Sequence, residues 1–227
     1  MKNLLTTTLL SVGLAGGASA STFDFNDAAL QDSLVDRVTT SDGAITATLD
    51  VYANRNRFNT GANRVHEALI FDTENGADAD ADLQSGFRRD GGSDFSFAGG
   101  VLAISENDLS AGDLPDDNAN GGSITFNFLQ AVNFTAFSIY DDASITVTAN
   151  NGASFSAGVR KDGAFNDFLI GDERFFNVSS LTFDFGHHSG AIDNLELSAV
   201  PLPAGLPLLL AGLGALGIAG RRRRTQA

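Results

Sequence analysis

Apolar and polar positions alternate along most of this chain with a period of two, the period of half-buried strands. Ile45–Val51 is the cleanest run, with Ile45, Ala47, Leu49 and Val51 on one face and Thr46, Thr48 and Asp50 on the other. Ile124, Phe126 and Phe128 alternate with Thr125 and Asn127, and Leu181, Phe183 and Phe185 with Thr182 and Asp184. Further strands are predicted at Thr22–Asn26, Phe134–Tyr140, Ile145–Ala149, Ser154–Val159 and Ala191–Leu197. Val65–Phe71 ends in four consecutive apolar residues, as a more buried strand would, and Val101–Ser105 follows a Gly99-Gly100 turn. Asp42-Gly43, Asn75-Gly76, Asn120-Gly121-Gly122, Asn151-Gly152 and Asp162-Gly163 supply turns between the runs. One stretch has helical spacing: Leu30, Leu34 and Val38 follow Asp27, a capping residue type, and predict a helix over Ala28–Arg37. About ten short strands joined by glycine turns predict an all-β fold, an antiparallel β-sandwich.

The two ends of the chain break the alternation. Residues 1–20 hold one positive residue, Lys2, an apolar segment around Leu4–Ala15, and a small-x-small site at Ala18-Ser19-Ala20. This is the pattern of a secretory leader that signal peptidase removes between Ala20 and Ser21. At the other end, Val200, Pro201, Leu202, Pro203 and Ala204 form a segment held extended by its two prolines. Gly205–Gly220 then runs sixteen residues without a polar side chain, twenty-one counted from Val200. A membrane helix needs roughly 20. Arg221, Arg222, Arg223 and Arg224 follow and orient that end toward the cytoplasm. The chain thus divides into a leader (1–20), one body domain (21–199) and a tail (200–227).

The motif VPLPA, one short apolar helix and a terminal arginine cluster, in that order, resemble the tripartite sorting signal of PEP-CTERM proteins in its VPLPA-CTERM variant. The resemblance implies an exosortase, a transpeptidase-like membrane protease, as processing partner. It also implies transient anchoring in the membrane and final delivery to the cell surface or medium. It leaves open what the body does. The first strand, Phe23-Asp24-Phe25, and the last, Gly190–Leu197 with its Ile192-Asp193-Asn194-Leu195 core, resemble the paired terminal strands of a galactose-binding-like jelly roll. In that kind of fold a structural calcium often sits where those strands pair, which would put Asp193, and Asp24 by its place in the first strand, at a metal.

Charge sharpens the picture. All twenty-eight Asp and Glu lie in the body but only nine of the fourteen Lys and Arg, so the body carries −19. Such a surface repels nucleic acid and anionic bilayers and attracts divalent cations, although plain solubility explains the same charge. Cysteine is absent, so an oxidising compartment gives the fold no disulfide staple.

The densest acidic stretch is Asp72–Leu83, in which Asp78, Asp80 and Asp82 alternate as calcium-loop ligands do. It is not an EF-hand, since glycine and glutamate are missing from the required positions. A strand ending in Ile70-Phe71-Asp72 that leads into this loop, with a later Pro115-Asp116-Asp117-Asn118-Ala119-Asn120-Gly121-Gly122 turn, resembles a pattern found in exported PEP-CTERM proteins. The candidate metal ligands are therefore Asp78, Asp80, Asp82, Asp116 and Asp117, with Asp24 and Asp193 as a second set and calcium as the candidate cofactor. Against them stand two simpler readings: solvated loop acids, and for Asp193 the cap of a bulge, because Ile192 breaks the phase of Ala191, Leu195 and Leu197.

Catalysis finds little footing. No Gly-x-Ser-x-Gly elbow exists, His187 and His188 belong in a surface turn, and His66 stands alone. Twenty-eight acids always offer carboxylate pairs for glycoside hydrolysis, but no spacing singles one out. Sugar stacking has only Tyr52 and Tyr140 in the absence of tryptophan, and the eighteen phenylalanines follow the core phase of the strands. Phe175-Phe176 is the exception, since neighbours in a strand cannot both face inward. The leading expectation is a non-enzymatic surface or extracellular-matrix protein; a carbohydrate-binding module for exopolysaccharide comes second and a hydrolase third.

Overall fold

A computed structural model describes residues 19–27, 29–54, 67–74, 83, 87–90, 95–96, 99–106, 117–141, 143–161 and 163–200. The Asp78–Asp80–Asp82 loop, Asp116, His66, most of the leader and everything from Pro201 onward lie outside them. The described chain is all-β. Its strands are β1 (Ala20–Phe23), β2 (Ser33–Val35), β3 (Arg37–Thr39), β4 (Thr46–Ala53), β5 (Ala68–Asp72), β6 (Phe87–Arg89), β7 (Phe95–Ser96), β8 (Gly100–Ile104), β9 (Gly122–Tyr140), β10 (Ser144–Ala149), β11 (Ser154–Gly158), β12 (Ala164–Leu169), β13 (Val178–Asp184) and β14 (Ala191–Ala199). Pairing is antiparallel throughout except between β6 and β12.

β9 is the axis. The sequence predicts two strands here, but the structure has one of nineteen residues. Its first half, Gly122–Phe128, lies between β4 and β13; its second half runs beside β14 from Val132 to Tyr140, with β13 still opposite Val132 and β12 opposite Ala136–Tyr140. The partners change at Leu129-Gln130, which face solvent, Leu129 at 69% exposure. The two halves of β9 contribute to one core. Phe183 of β13 packs its ring against Phe126 at 5.5 Å, Phe134 at 5.8 Å and Phe137 at 5.5 Å. Each such buried ring contributes about 1.5–3 kcal/mol relative to an exposed one. Ile192, Leu195 and Leu197 of β14 and Leu102 and Ile104 of β8 join the same core. A second, smaller cluster covers the opposite face of β5, β8, β9 and β12: Leu69, Phe71, Val101, Ala103, Tyr140, Phe165 and Ala191, with Leu83 packed among them. Buried on both faces, β5 and β8 carry unbroken apolar runs.

The expected helix over Ala28–Arg37 is not there. A turn leads into β2 and β3 instead. Asp32 takes a left-handed backbone, φ 54°, and its carboxylate accepts the Asp72 N–H at 3.1 Å. β2 then pairs with β5 and β3 with β4. The buried side chains are Val35 and Val38, β-branched residues suited to strands, while Leu30 faces solvent. Phe175 and Phe176 resolve similarly: Glu173–Phe175 form a 3-10 turn, which buries Phe175 and leaves Phe176 exposed.

Candidate functional site

β12, β9 and β14 lie side by side, and their registers align Asp167, Ser138 and Asp193 on one rung and Phe165, Tyr140 and Ala191 on the next rung but one. Residues two apart on a strand share a face, so all six project to the side of the smaller cluster. Tyr140 stacks on Phe165 at 5.6 Å, and the Arg89 guanidinium sits 4.8 Å above the Phe165 ring. Arg89 also pairs with Asp167 at 2.5 Å. Ser138 Oγ donates to the other oxygen of Asp167 at 2.8 Å, and Asn194 Nδ2 donates to Ser138 Oγ at 3.5 Å.

Asp193 is the exception in this network. It is 1% exposed, and its Oδ1 has no hydrogen-bond partner. Burial pushes its carboxyl well above the usual carboxylate range; the Asp24 and Asp167 charges push the same way, against one backbone hydrogen bond from Asn194. Burial, joined by the Asp193 and Asp167 charges, also pushes the Tyr140 phenol up. A buried acceptor left unpaired costs about 1–3 kcal/mol, more when charged. The local backbone explains the placement. Asn194 is left-handed, φ 51°, and the β14–β9 register slips between Asp193 and Glu196. This bulge keeps Ile192, Leu195 and Leu197 on the core side and leaves Asp193 on the other face. The bulge is present at Asp193, and one carboxyl oxygen beside it has no partner.

The residues fit a calcium ion in part. Asp193 offers an oxygen without a partner, and Asp24 leaves the end of β1, which pairs with β14 from Phe23 opposite Leu195. Among the described residues no three acids or histidines come close enough to hold a metal, so a cation here would need hydroxyl, amide or backbone oxygens to complete its shell. Calcium bound there would neutralise the buried carboxylate and hold the two terminal strands together.

Asp117, from the acidic turn, is buried, and its Oδ2 accepts the Gly190 N–H at 2.5 Å at the start of β14. Its neighbour Asn118 donates through Nδ2 to the Asn54 carbonyl and accepts the Asn120 N–H. Gly121 is required by space as well as by its φ of 62°, since a Cβ there would lie 2.6 Å from the His188 carbonyl oxygen. Hence this turn ties β9 to the β13–β14 connection. Asp24 also lines a cavity of about 590 Å³ beside β1, with Asp27, Arg37 and Thr39 over apolar Phe25 and Val38. Phe25 stands at φ 47°, a strained backbone for an aromatic residue. His187 and His188 are exposed at a turn, as the sequence predicts. Tyr52 is exposed and Tyr140 buried.

Sequence reasoning finds Asp193 by its place in the last strand but misses Asp167, Ser138 and Arg89. One acid among twenty-eight carries no signal until strand register brings it beside another. No family model, curated protein or solved structure matches this chain.

Proposed function

We propose that this chain is an exported, non-enzymatic surface or extracellular-matrix protein, cut from its leader by signal peptidase and sorted through its tail by an exosortase-type protease. The observation that carries the reading is the fixed order of Val200–Ala204, the apolar Gly205–Gly220 run and Arg221–Arg224. The architecture of the body agrees with it: β14 runs to Ala199, and the Val200 N–H still donates to the Ala131 carbonyl at 3.1 Å, so the described sheet reaches the first residue of the motif. We take the body to be a jelly-roll-like β-sandwich, a reading supported by the two halves of β9 sharing one core while joining different strands. Asp193, on the same face as Asp167, is buried and so out of reach of a substrate. Calcium at Asp193 and Asp24 is the cofactor this arrangement favours.

The cavity beside β1 favours a second reading, a binding module for exopolysaccharide, in which Asp24, Asp27 and Arg37 would meet sugar hydroxyls above Phe25. Intact mass of the protein from the cell surface and the medium tests the first reading. A chain beginning at Ser21 and ending near Ala204, free or covalently extended, supports it. Recovery of the full 227 residues overturns it.

A further inference from the structure

Removing the leader changes the chemistry of one backbone atom, the Ser21 nitrogen, from an amide to an ammonium, and the fold has a carboxylate waiting beside it. Ser21 is 4% exposed, and its Oγ donates to Asp42 Oδ2 at 2.7 Å. Asp42 heads the turn between β3 and β4. Its Oδ1 accepts the Thr40 hydroxyl at 2.7 Å and the Ala44 N–H at 3.0 Å. These bonds, Thr40 first, hold the Asp42 carboxyl below the usual carboxylate range and keep it ionised. The same turn grips β1 a second time, through the Ser41 N–H on the Thr22 carbonyl at 3.1 Å. A serine nitrogen and its own Oγ are three bonds apart, so the Asp42 carboxylate lies within roughly 4–6 Å of the Ser21 nitrogen, a distance at which opposite charges stabilise one another.

We propose that Asp42 is the docking site for the α-ammonium that leader removal creates at Ser21, an ion pair the precursor cannot form. The proposal rests on the reading that the leader is cut before Ser21. It answers a need in the fold. β1 is a short strand whose ladder is with β14, from Ala20 opposite Ser198 to Phe23 opposite Leu195. Cleavage takes away the Ala20 rung and leaves a chain end, the place where strands fray. Phe23, two residues on, is 1% exposed and packs against Phe126 at 5.9 Å, so fraying would open the main core. The ammonium replaces the lost rung with a contact on the other side of β1, against the turn.

The test uses the leader-free chain, residues 21–227 in detergent, released from a fusion whose removal leaves Ser21 first. Four forms are compared: free or acetylated Ser21 nitrogen, each with Asp42 or with Asp42→Asn. Asparagine retains an acceptor for Thr40 and Ala44, so the turn is kept. Hydrogen exchange across Thr22–Phe23 is the readout. Acetylation is expected to speed exchange by about two- to fivefold when Asp42 is present, the range for a partly exposed ion pair, and to have no effect in Asp42→Asn. Equal acetylation effects in both backgrounds, or none in either, overturn the contact. An exported chain whose mass begins elsewhere than Ser21 overturns the leader reading and, with it, the contact in the cell; the four-form comparison then reports on the geometry alone.

Discussion

Replacing Asp193 by asparagine puts the buried carboxyl, with its partnerless Oδ1, to a direct test. In the unfolded chain this group titrates at about 3.9. In the folded chain burial raises it well above that, with Asp24 and Asp167 adding to the effect. Between the two values the folded state holds the extra proton. The stability that the neutral acid contributes is therefore fully present below about pH 3.9 and is lost as pH rises through the folded value. At neutral pH without metal, the fold carries either the work of keeping that proton, about 1.4 kcal/mol for each pH unit above the unfolded value, or a buried charge of comparable cost. An asparagine side chain has the same shape and no charge. For a domain of this size each kcal/mol moves the melting midpoint by roughly 2–4 °C. Over about one to three such units, Asp193→Asn should thus raise the midpoint at pH 7 in EDTA by roughly 3–17 °C, with little change at pH 4. Calorimetric melts of wild type and variant at both pH values read the difference and cancel the titration of the other acids. Calcium then separates the two fates of the carboxyl, since a bound cation raises the midpoint of the wild type alone. A variant less stable than wild type at pH 7 in EDTA, or a gap of the same size at pH 4 and pH 7, refutes the reasoning.

Three further outcomes are expected. Millimolar calcium should raise the midpoint beyond matched magnesium and sodium chloride, by about 5–10 °C if the ion is at a hundredfold excess over its Kd. Asp24→Asn or Asp193→Asn should abolish the calcium-specific part if the terminal-strand site holds the ion, and Asp80→Asn with Asp82→Asn if the acidic loop does; equal shifts in all three salts, unchanged in every variant, would rule out both. Pro201→Ala with Pro203→Ala should leave the tail uncleaved and the protein in the membrane fraction, and normal release of that variant would show that the motif is not read. Neutral polysaccharides should retain little of the body in a pull-down, given a chain without tryptophan, whereas tight retention on glucans or galactans would put the sugar-binding reading first.

Strands with one face in the core were legible because their alternation records that face. β4, β13 and β14 stand close to where the pattern of residues puts them. The continuity of β9 was hidden because Leu129, Gln130 and Ala131 interrupt the alternation just where the strand exchanges neighbours. β12 escaped for a different reason: Phe165 packs in the smaller cluster and Phe168 against the main core, so its buried rings fall on opposite faces and no period of two survives. The helix expected over Ala28–Arg37 lost to long-range pairing, since β2 and β3 each find a strand partner that local spacing cannot reveal. The site was half legible. Asp193 could be found by its position in the last strand, but its missing partner depends on the left-handed Asn194 and on burial beneath neighbours distant in sequence.

The motif follows β14 directly in sequence, which has a mechanical consequence. An anchor made at Ala204 would leave four residues beyond the hydrogen-bonded Val200, a leash of at most about 14 Å. Tension on such an anchor would not first be absorbed by a slack linker, because it enters the sheet at the end of β14. That strand runs alongside β9 from Ala191 to Ala199 and alongside β1 from Leu195 to Ser198. A pull along its axis loads these ladders in shear, so many hydrogen bonds must yield together, whereas a pull across a sheet edge would open them one at a time. A surface domain held this way would resist drag through its best-connected interior strands, and the first element to slip would be the three-residue stub of β1 that leader removal would leave.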